Sequence, residues 1–192
     1  LLIGQSNMAG RGDLEEAVPV DTRHILVLRN GRWQPMFRPI NPDRSFSGVS
    51  LAESFAEVYA DKYGVDVGLI CCADGGTSLE EWQEGSLLYD NAVYQGRLSS
   101  RTSAISGVLW HQGEANCRET LYEGYCERFE KMMKALRRDL NLHEVPFVLG
   151  GLGDFLKDCE EPPYLKNYIK VNEELQRIAQ RNAKTVFVSA EG

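Results

Sequence analysis

The sequence predicts an α/β domain: a mainly parallel sheet with helices on both faces. Three observations lead there. Short apolar runs of strand length alternate with helix-length amphipathic segments along most of the 192 residues. Strands separated by helices need crossover connections, and crossovers make the sheet parallel. No repeat, linker or low-complexity stretch divides the chain, whose length suits one domain with a real core.

The elements follow in order. Leu1-Leu2-Ile3 reads as the end of a first strand. His24 to Leu28 and Arg32-Trp33 flank Asn30-Gly31, a pair that supplies the positive φ of a tight hairpin turn. This hairpin is expected to stand apart from the main sheet. Ser50 with Glu53 forms a capping box, and Leu51, Phe55, Val58 and Tyr59 fall on one helical stripe taken as its core face. Asp66 to Cys72 is a buried strand, followed by a helix near 90–101 and a strand from Ile105 to Trp110. Thr120 with Glu123 caps a longer helix, with Leu121, Tyr125, Phe129, Met132, Met133 and Leu136 on its core face. Pro146 to Leu149 is a strand. Leu165, Ile169, Asn172, Leu175 and Ile178 mark a last helix, and Thr185 to Val188 a last strand. Hairpin aside, five strands result.

Composition excludes several functions. Apolar residues make up 43% and charged residues 26%, which is globular rather than disordered. A formal charge of -7 leaves no basic face for general nucleic-acid binding. No apolar run approaches the roughly 20 residues of a membrane span. The five cysteines (71, 72, 117, 126 and 159) show no metal-ligand spacing, and no N-x-S/T sequon occurs. These features read as reduced thiols in a cytoplasmic protein. Secretion stays open, because the chain starts at Leu1 without Met. Oligomeric state is not legible.

In parallel α/β sheets, function collects in loops at the carboxyl ends of the strands. Here those loops carry Gly4-Gln5-Ser6-Asn7-Met8, Asp74-Gly75-Gly76-Thr77-Ser78 with Trp82 beyond, His111-Gln112-Gly113-Glu114, and Gly150-Gly151-Leu152-Gly153-Asp154-Phe155. Each combines glycine with polar side chains, and glycine lets backbone N–H groups approach a ligand. Neither a phosphate loop nor G-x-G-x-x-G is present, which argues against nucleotide binding. A serine at a strand end can act as a nucleophile if a base takes its proton and N–H donors meet the oxyanion. Ser6 is that serine. Gly75, Gly76 and Gln112 are donor candidates.

The ordered combination of Gly4-Gln5-Ser6-Asn7-Met8, Gly75-Gly76-Thr77-Ser78 and Gln112-Gly113-Glu114 closely resembles the sialate O-acetylesterase and acetylxylan esterase group. That group is carbohydrate esterase family 6, within the SGNH-type hydrolases. The resemblance covers essentially the whole chain. It implies a flavodoxin-like five-stranded sheet of order 2-1-3-4-5 and removal of acetyl groups from carbohydrate hydroxyls, with no metal or organic cofactor. It makes Ser6 the nucleophile and a source of one oxyanion N–H, Gly76 the favoured second donor, and Gln112 the third. It offers Glu114 as an acidic partner. Gln5, Asn7, Gly75, Thr77, Trp82 and His111 are then substrate-side candidates, with Trp82 either stacking on a sugar ring or packing its own loop, and Arg11 at the pocket edge.

One departure matters. The family's last block is Asp-x-x-His, which supplies the base and its orienting acid. The sequence reaches Ser189-Ala190-Glu191-Gly192 where that block is expected to begin, and none of His24, His111 and His143 fits it by motif. The expectation is a single domain spanning 1–192, clipped at both ends, with its catalytic His and Asp beyond residue 192. Such a chain is nearly inactive by itself. A non-catalytic carbohydrate-binding relative of the same fold is the alternative.

Overall fold

The computed structural model describes residues 1–118 and 120–190. Four parallel strands form the regular sheet: β1 (Leu2–Gly4), β5 (Val108–His111), β6 (Phe147–Gly150) and β7 (Thr185–Val188), in the order β1-β5-β6-β7. A three-stranded sheet holds β2 (Ile25–Arg29), β3 (Arg32–Pro35) and β4 (Val67–Leu69), in the order β3-β2-β4. The two meet at β1. Leu2 bridges Cys71, with Leu2 N–H donating to Ile70 O at 2.9 Å and Cys72 N–H to Leu2 O at 3.0 Å. The regular sheet has four parallel strands where five were expected, and the 2-1-3-4-5 order is met only if this bridge stands for the second of the five strands. The second of them joins β1 by a single bridge instead of a regular ladder.

The hairpin is not set apart from the sheet. Asn30 and Gly31 do take positive φ, 52° and 75°, and close β2 onto β3. But β2 also pairs in parallel with β4, from Ile25 against Val67 to Val27 against Leu69. Gly68 permits this arrangement, since a Cβ there would lie 2.6 Å from the Trp33 ring. The hairpin therefore extends the sheet and protects the edge that β4 would otherwise expose.

The helices are α1 (Ser6–Ala9), α2 (Leu51–Tyr63), α3 (Leu87–Ser99), α4 (Tyr125–Asp139) and α5 (Tyr168–Arg181). The Ser50–Glu53 capping box is present at the start of α2. Its buried face, however, is Ala52, Glu53, Ala56 and Ala60, while Leu51 and Val58 are 43% and 64% exposed. The reason is space. Alanines let α2 sit close against Met8, Ala9, Ile25 and Leu69, and the bulkier stripe turns outward. α4 begins at Tyr125 after left-handed Gly124, not at the expected Thr120 cap, and Thr120 itself has φ +68°. Tyr125, Phe129, Met132, Met133 and Leu136 are buried as expected. On α5 the buried residues are Tyr168, Val171, Leu175 and Ile178, and Ile169 faces out.

A large apolar cluster under α3, α4 and α5 includes Trp82, Trp110, Tyr125 and Phe129. A smaller one lies under α1 and α2. All five cysteines are free thiols, and burial pushes Cys71 and Cys72 up to about 12. Among the described residues, no helix is long and apolar enough to cross a membrane.

The inverted packing of α2 is testable by urea unfolding. Ala56→Leu should lose about 1–3 kcal/mol by overpacking. Val58→Ala, on the face expected from hydropathy to be core, should stay within about 0.5 kcal/mol of the parent.

Candidate active site

The first site loop begins where β1 runs out of space. Gly4 has φ +133°, and a Cβ there would lie 2.2 Å from His111 O, so only glycine fits this approach. Gln5 N–H then donates to His111 O at 3.0 Å, and the chain turns into α1 at Ser6. Ser6 is partly buried. Among the described residues, no partner engages its hydroxyl or its backbone N–H. Gln5 is 4% exposed, and its Oε1 accepts from Gly113 N–H and Ala115 N–H, both at 3.4 Å. Gln5 therefore holds the third loop and does not face substrate.

The second loop follows Cys72 and is gripped by a segment to which the sequence reading gave no role. Asn41 pairs with the Ala73 backbone in both directions, at 3.0 and 3.1 Å. Asp43 Oδ2 accepts Gly75 N–H at 2.8 Å. The same carboxylate takes a two-pronged contact from Arg11, at 3.0 and 2.7 Å, and the Ser47 hydroxyl at 2.8 Å. Arg11 thus serves the loop scaffold. Gly75 has its N–H occupied, and a Cβ there would press on the ion pair, 2.4 Å from Arg11 Nη2 and 2.9 Å from Asp43 Oδ2. Gly76 differs. It is exposed, its φ is +82°, and no described residue engages its N–H. The only sequence signal for this grip was the run Asn41-Pro42-Asp43-Arg44, polar residues in a stretch without periodicity.

Asp43 also carries a pH signature. Burial raises its carboxyl pKa, but hydrogen bonds from Arg11, Ser47 and Gly75 outweigh burial and hold it below the ordinary carboxylate value.

Contacts between the third and second loops revise three expectations, those for Gln112, Thr77 and Trp82. Gln112 is fully buried (0% exposed), and its Nε2 donates to Thr77 O at 3.0 Å and to Asn116 Oδ1 at 2.7 Å. Its Oε1 accepts from the Tyr125 hydroxyl at 2.7 Å. An amide nitrogen has two hydrogens, so Gln112 has none left for an oxyanion. Thr77 is also buried, and its hydroxyl donates to Asp74 O and accepts from Trp82 Nε1. Trp82 is 1% exposed and meets Trp110 edge-on, with centroids 5.7 Å apart. It has no free face for a sugar. Burial is the common cause: polar groups removed from water must find partners inside, and these partners are one another.

Two acidic and basic candidates remain. Asn7 Nδ2 donates to Glu114 Oε1, joining the first loop to the third. Glu114 Oε2 is buried with no partner among the described residues. His111 Nδ1 lies 3.1 Å from Gly150 O, which ties the imidazole to the β6 end. His24 pairs with Asp66 at 2.7 Å on the surface, and His143 is exposed. No imidazole among the described residues is hydrogen-bonded to Ser6.

The three loops are thus joined pairwise. Gln5 and Asn7 link the first to the third, Gln112 links the third to the second, and the Arg11–Asp43 contact links the first to the second. Among the described residues, nothing engages the N–H of Ser6, at the start of α1, or of Gly76, in the loop after Cys72. Such an arrangement can offer a nucleophilic oxygen with preset donors for a developing oxyanion.

Across residues 1–192 the sequence matches the family model for the carbohydrate esterases described as sialic acid-specific acetylesterase. The chain belongs to this family. A curated relative from Arabidopsis thaliana, described as the probable carbohydrate esterase At4g34215, is 30% identical over 201 residues, covering 90% of this chain and 77% of the relative. The X-ray structure of the Arabidopsis protein AT4G34215 superimposes with a TM-score of 0.84 at 29% identity, covering all of this chain and 84% of that one. The crystal structure of NanS superimposes at 0.79 with 18% identity, covering all of this chain and 76% of that one. The carbohydrate acetylesterase XAC1771 from Xanthomonas citri gives 0.72 with 19% identity, covering 97% and 48%. At these identities the last two show a shared fold alone.

Two outcomes follow from the buried network. Tyr125→Phe strands Gln112 Oε1 and Trp110 Nε1, and should cost about 1–3 kcal/mol in urea unfolding. Asp43 has a folded pKa below its unfolded value, so its contribution is complete above the unfolded value of about 3.9 and is lost as pH falls through the folded one. The stability gap between the parent and Asp43→Asn should therefore be flat from about pH 7 to 5 and shrink below about pH 4.

Proposed function

We propose that this chain carries the nucleophile and oxyanion donors of a serine esterase that removes O-acetyl groups from carbohydrates of the acetylxylan or sialate type. The observation that carries the reading is Ser6: a serine delivered by a glycine-only strand end, with hydroxyl and N–H both unengaged, beside a loop that frees the Gly76 N–H. Family membership supports the substrate class.

In this mechanism Ser6 Oγ attacks the acetyl carbonyl carbon, and its proton passes to an imidazole. The carbonyl oxygen becomes an oxyanion facing the Ser6 and Gly76 N–H groups. Collapse releases the sugar alcohol, which takes the proton from the imidazolium. Water then attacks the acetyl–Ser6 ester by the same route, yielding acetate and free serine. We assign this imidazole to a downstream Asp-x-x-His block; in support, His24 is paired with Asp66, His111 is held toward Gly150, and none of the three described imidazoles is hydrogen-bonded to Ser6. Glu114 is the acidic group of the site and fixes Asn7 beside Ser6. Gln112 acts as framework, so the oxyanion rests on the two backbone donors. Each such donor is worth about 10² to 10³ in turnover.

The unpaired Ser6 also fits a second reading, a binding relative that holds acetylated sugar without turning it over. Acetate release separates the two. The substrates are acetylated xylan, an O-acetylated sialic acid and 4-nitrophenyl acetate. The proteins are the 192-residue chain, a version extended through the next downstream Asp-x-x-His, and the extended Ser6→Ala variant. The proposal expects release from the extended Ser6 form alone. A robust Ser6-dependent rate in the 192-residue chain would place the base within it. A folded extended form that binds the sugars but releases nothing would favour the binding reading.

A further inference from the structure

The oxyanion role of Gly76 needs its N–H to keep one direction, and glycine does not keep a direction unaided. The structure supplies the constraint from the segment after β3. Asp43 is buried, with 3% of its side chain exposed. Its Oδ1 accepts from Arg11 Nη1 and Ser47 Oγ, and its Oδ2 from Arg11 Nη2 and Gly75 N–H. Those four donors fill the carboxylate's capacity. The next residue completes the grip. Arg44 Nη2 donates to Gly75 O at 2.8 Å and to Asp74 Oδ1 at 2.8 Å, while Arg44 Nη1 donates to Asp43 O at 2.7 Å.

The Gly75 carbonyl and the Gly76 N–H belong to one peptide unit. That unit is trans, so its C=O and N–H point in opposite directions. A guanidinium holding the carbonyl therefore turns the N–H to the far side, and its charge polarises the peptide toward a stronger donor. Asp43 fixes the preceding N–H, and Arg44 fixes this carbonyl. We propose that Asp43 and Arg44 are positioning residues that clamp the Gly75–Gly76 peptide and aim the Gly76 N–H at the oxyanion formed on Ser6. This rests on Ser6 being the nucleophile.

Methylboronic acid tests the clamp without requiring a base for turnover. Its boron accepts the Ser6 oxygen, the serine proton leaves to solvent, and the tetrahedral boronate anion carries oxygens in the oxyanion position. Boron-11 NMR titration reads that tetrahedral species directly. The proteins are the parent, Ser6→Ala, Asp43→Asn, Arg44→Gln and Arg44→Lys, each with its thermal midpoint measured. The clamp predicts formation in the parent, none in Ser6→Ala, and at least about tenfold weaker affinity in Asp43→Asn and Arg44→Gln, with partial recovery in Arg44→Lys. Arg44 is partly exposed, so Arg44→Gln decides the matter if Asp43→Asn does not fold. Parent-like affinity in Arg44→Gln overturns the clamp while leaving Ser6 as the nucleophile. A boronate signal indifferent to Ser6→Ala, or none in the parent, removes the nucleophile reading and the clamp with it.

Discussion

The arrangement of the site depends on one buried amide. Gln112 lies where no solvent reaches it, and its two hydrogens and its oxygen are spent on three different neighbours: the Thr77 backbone, Asn116 and Tyr125. Leaving any of them unpaired in the interior would cost the full desolvation of that group. The cheapest arrangement therefore fixes the distance between the loop after β5 and the loop after the Leu2–Cys71 bridge. Asn116 extends the tie by accepting from Leu79 N–H at 2.8 Å. The aromatic layer of Trp82, Trp110, Tyr125 and Phe129 then seals the network from water. Polar satisfaction and apolar packing act on the same few residues.

This explains how a site made of loops can be rigid. The first loop is placed by backbone crowding at Gly4, the third by its buried amide, and the second by the Gly75 N–H donated to the Asp43 carboxylate, itself ion-paired with Arg11. Each uses a different physical interaction, and each is joined to the other two. Among the described residues, nothing engages the Ser6 hydroxyl or the Ser6 and Gly76 N–H groups, and a hydroxyl and backbone N–H groups are what acyl transfer requires. Glu114 adds a carboxylate with one oxygen held by Asn7 and the other unpartnered among the described residues.

Much of the fold was legible because strands announce themselves by short β-branched and aromatic runs. The bounds of β7 and the turn at Asn30–Gly31 match the structure. The α2 face was misread because hydropathy ranks Leu51 and Val58 above alanine, while the gap beneath the helix admits only small side chains. In the site, Ser6 and Gly76 stood out by motif; Gly76 is exposed and Ser6 partly buried. Gln112 and Trp82 looked the same in sequence whether they touched substrate or framework, and only burial separates the two. Asp43 and Arg44 left almost no trace. They lie in an aperiodic stretch between β3 and α2, and their importance arises from contacts 30 or so residues away in the chain.

The central claim is that Ser6 is an activated serine once the base is in place. Fluorophosphonate labelling followed by peptide mapping tests it most directly, using the protein extended through a downstream Asp-x-x-His. The account predicts one modified serine, Ser6, on the peptide that ends at Arg11, with no labelling after heat denaturation. A folded protein that takes no label, or that takes it on another serine, would contradict it.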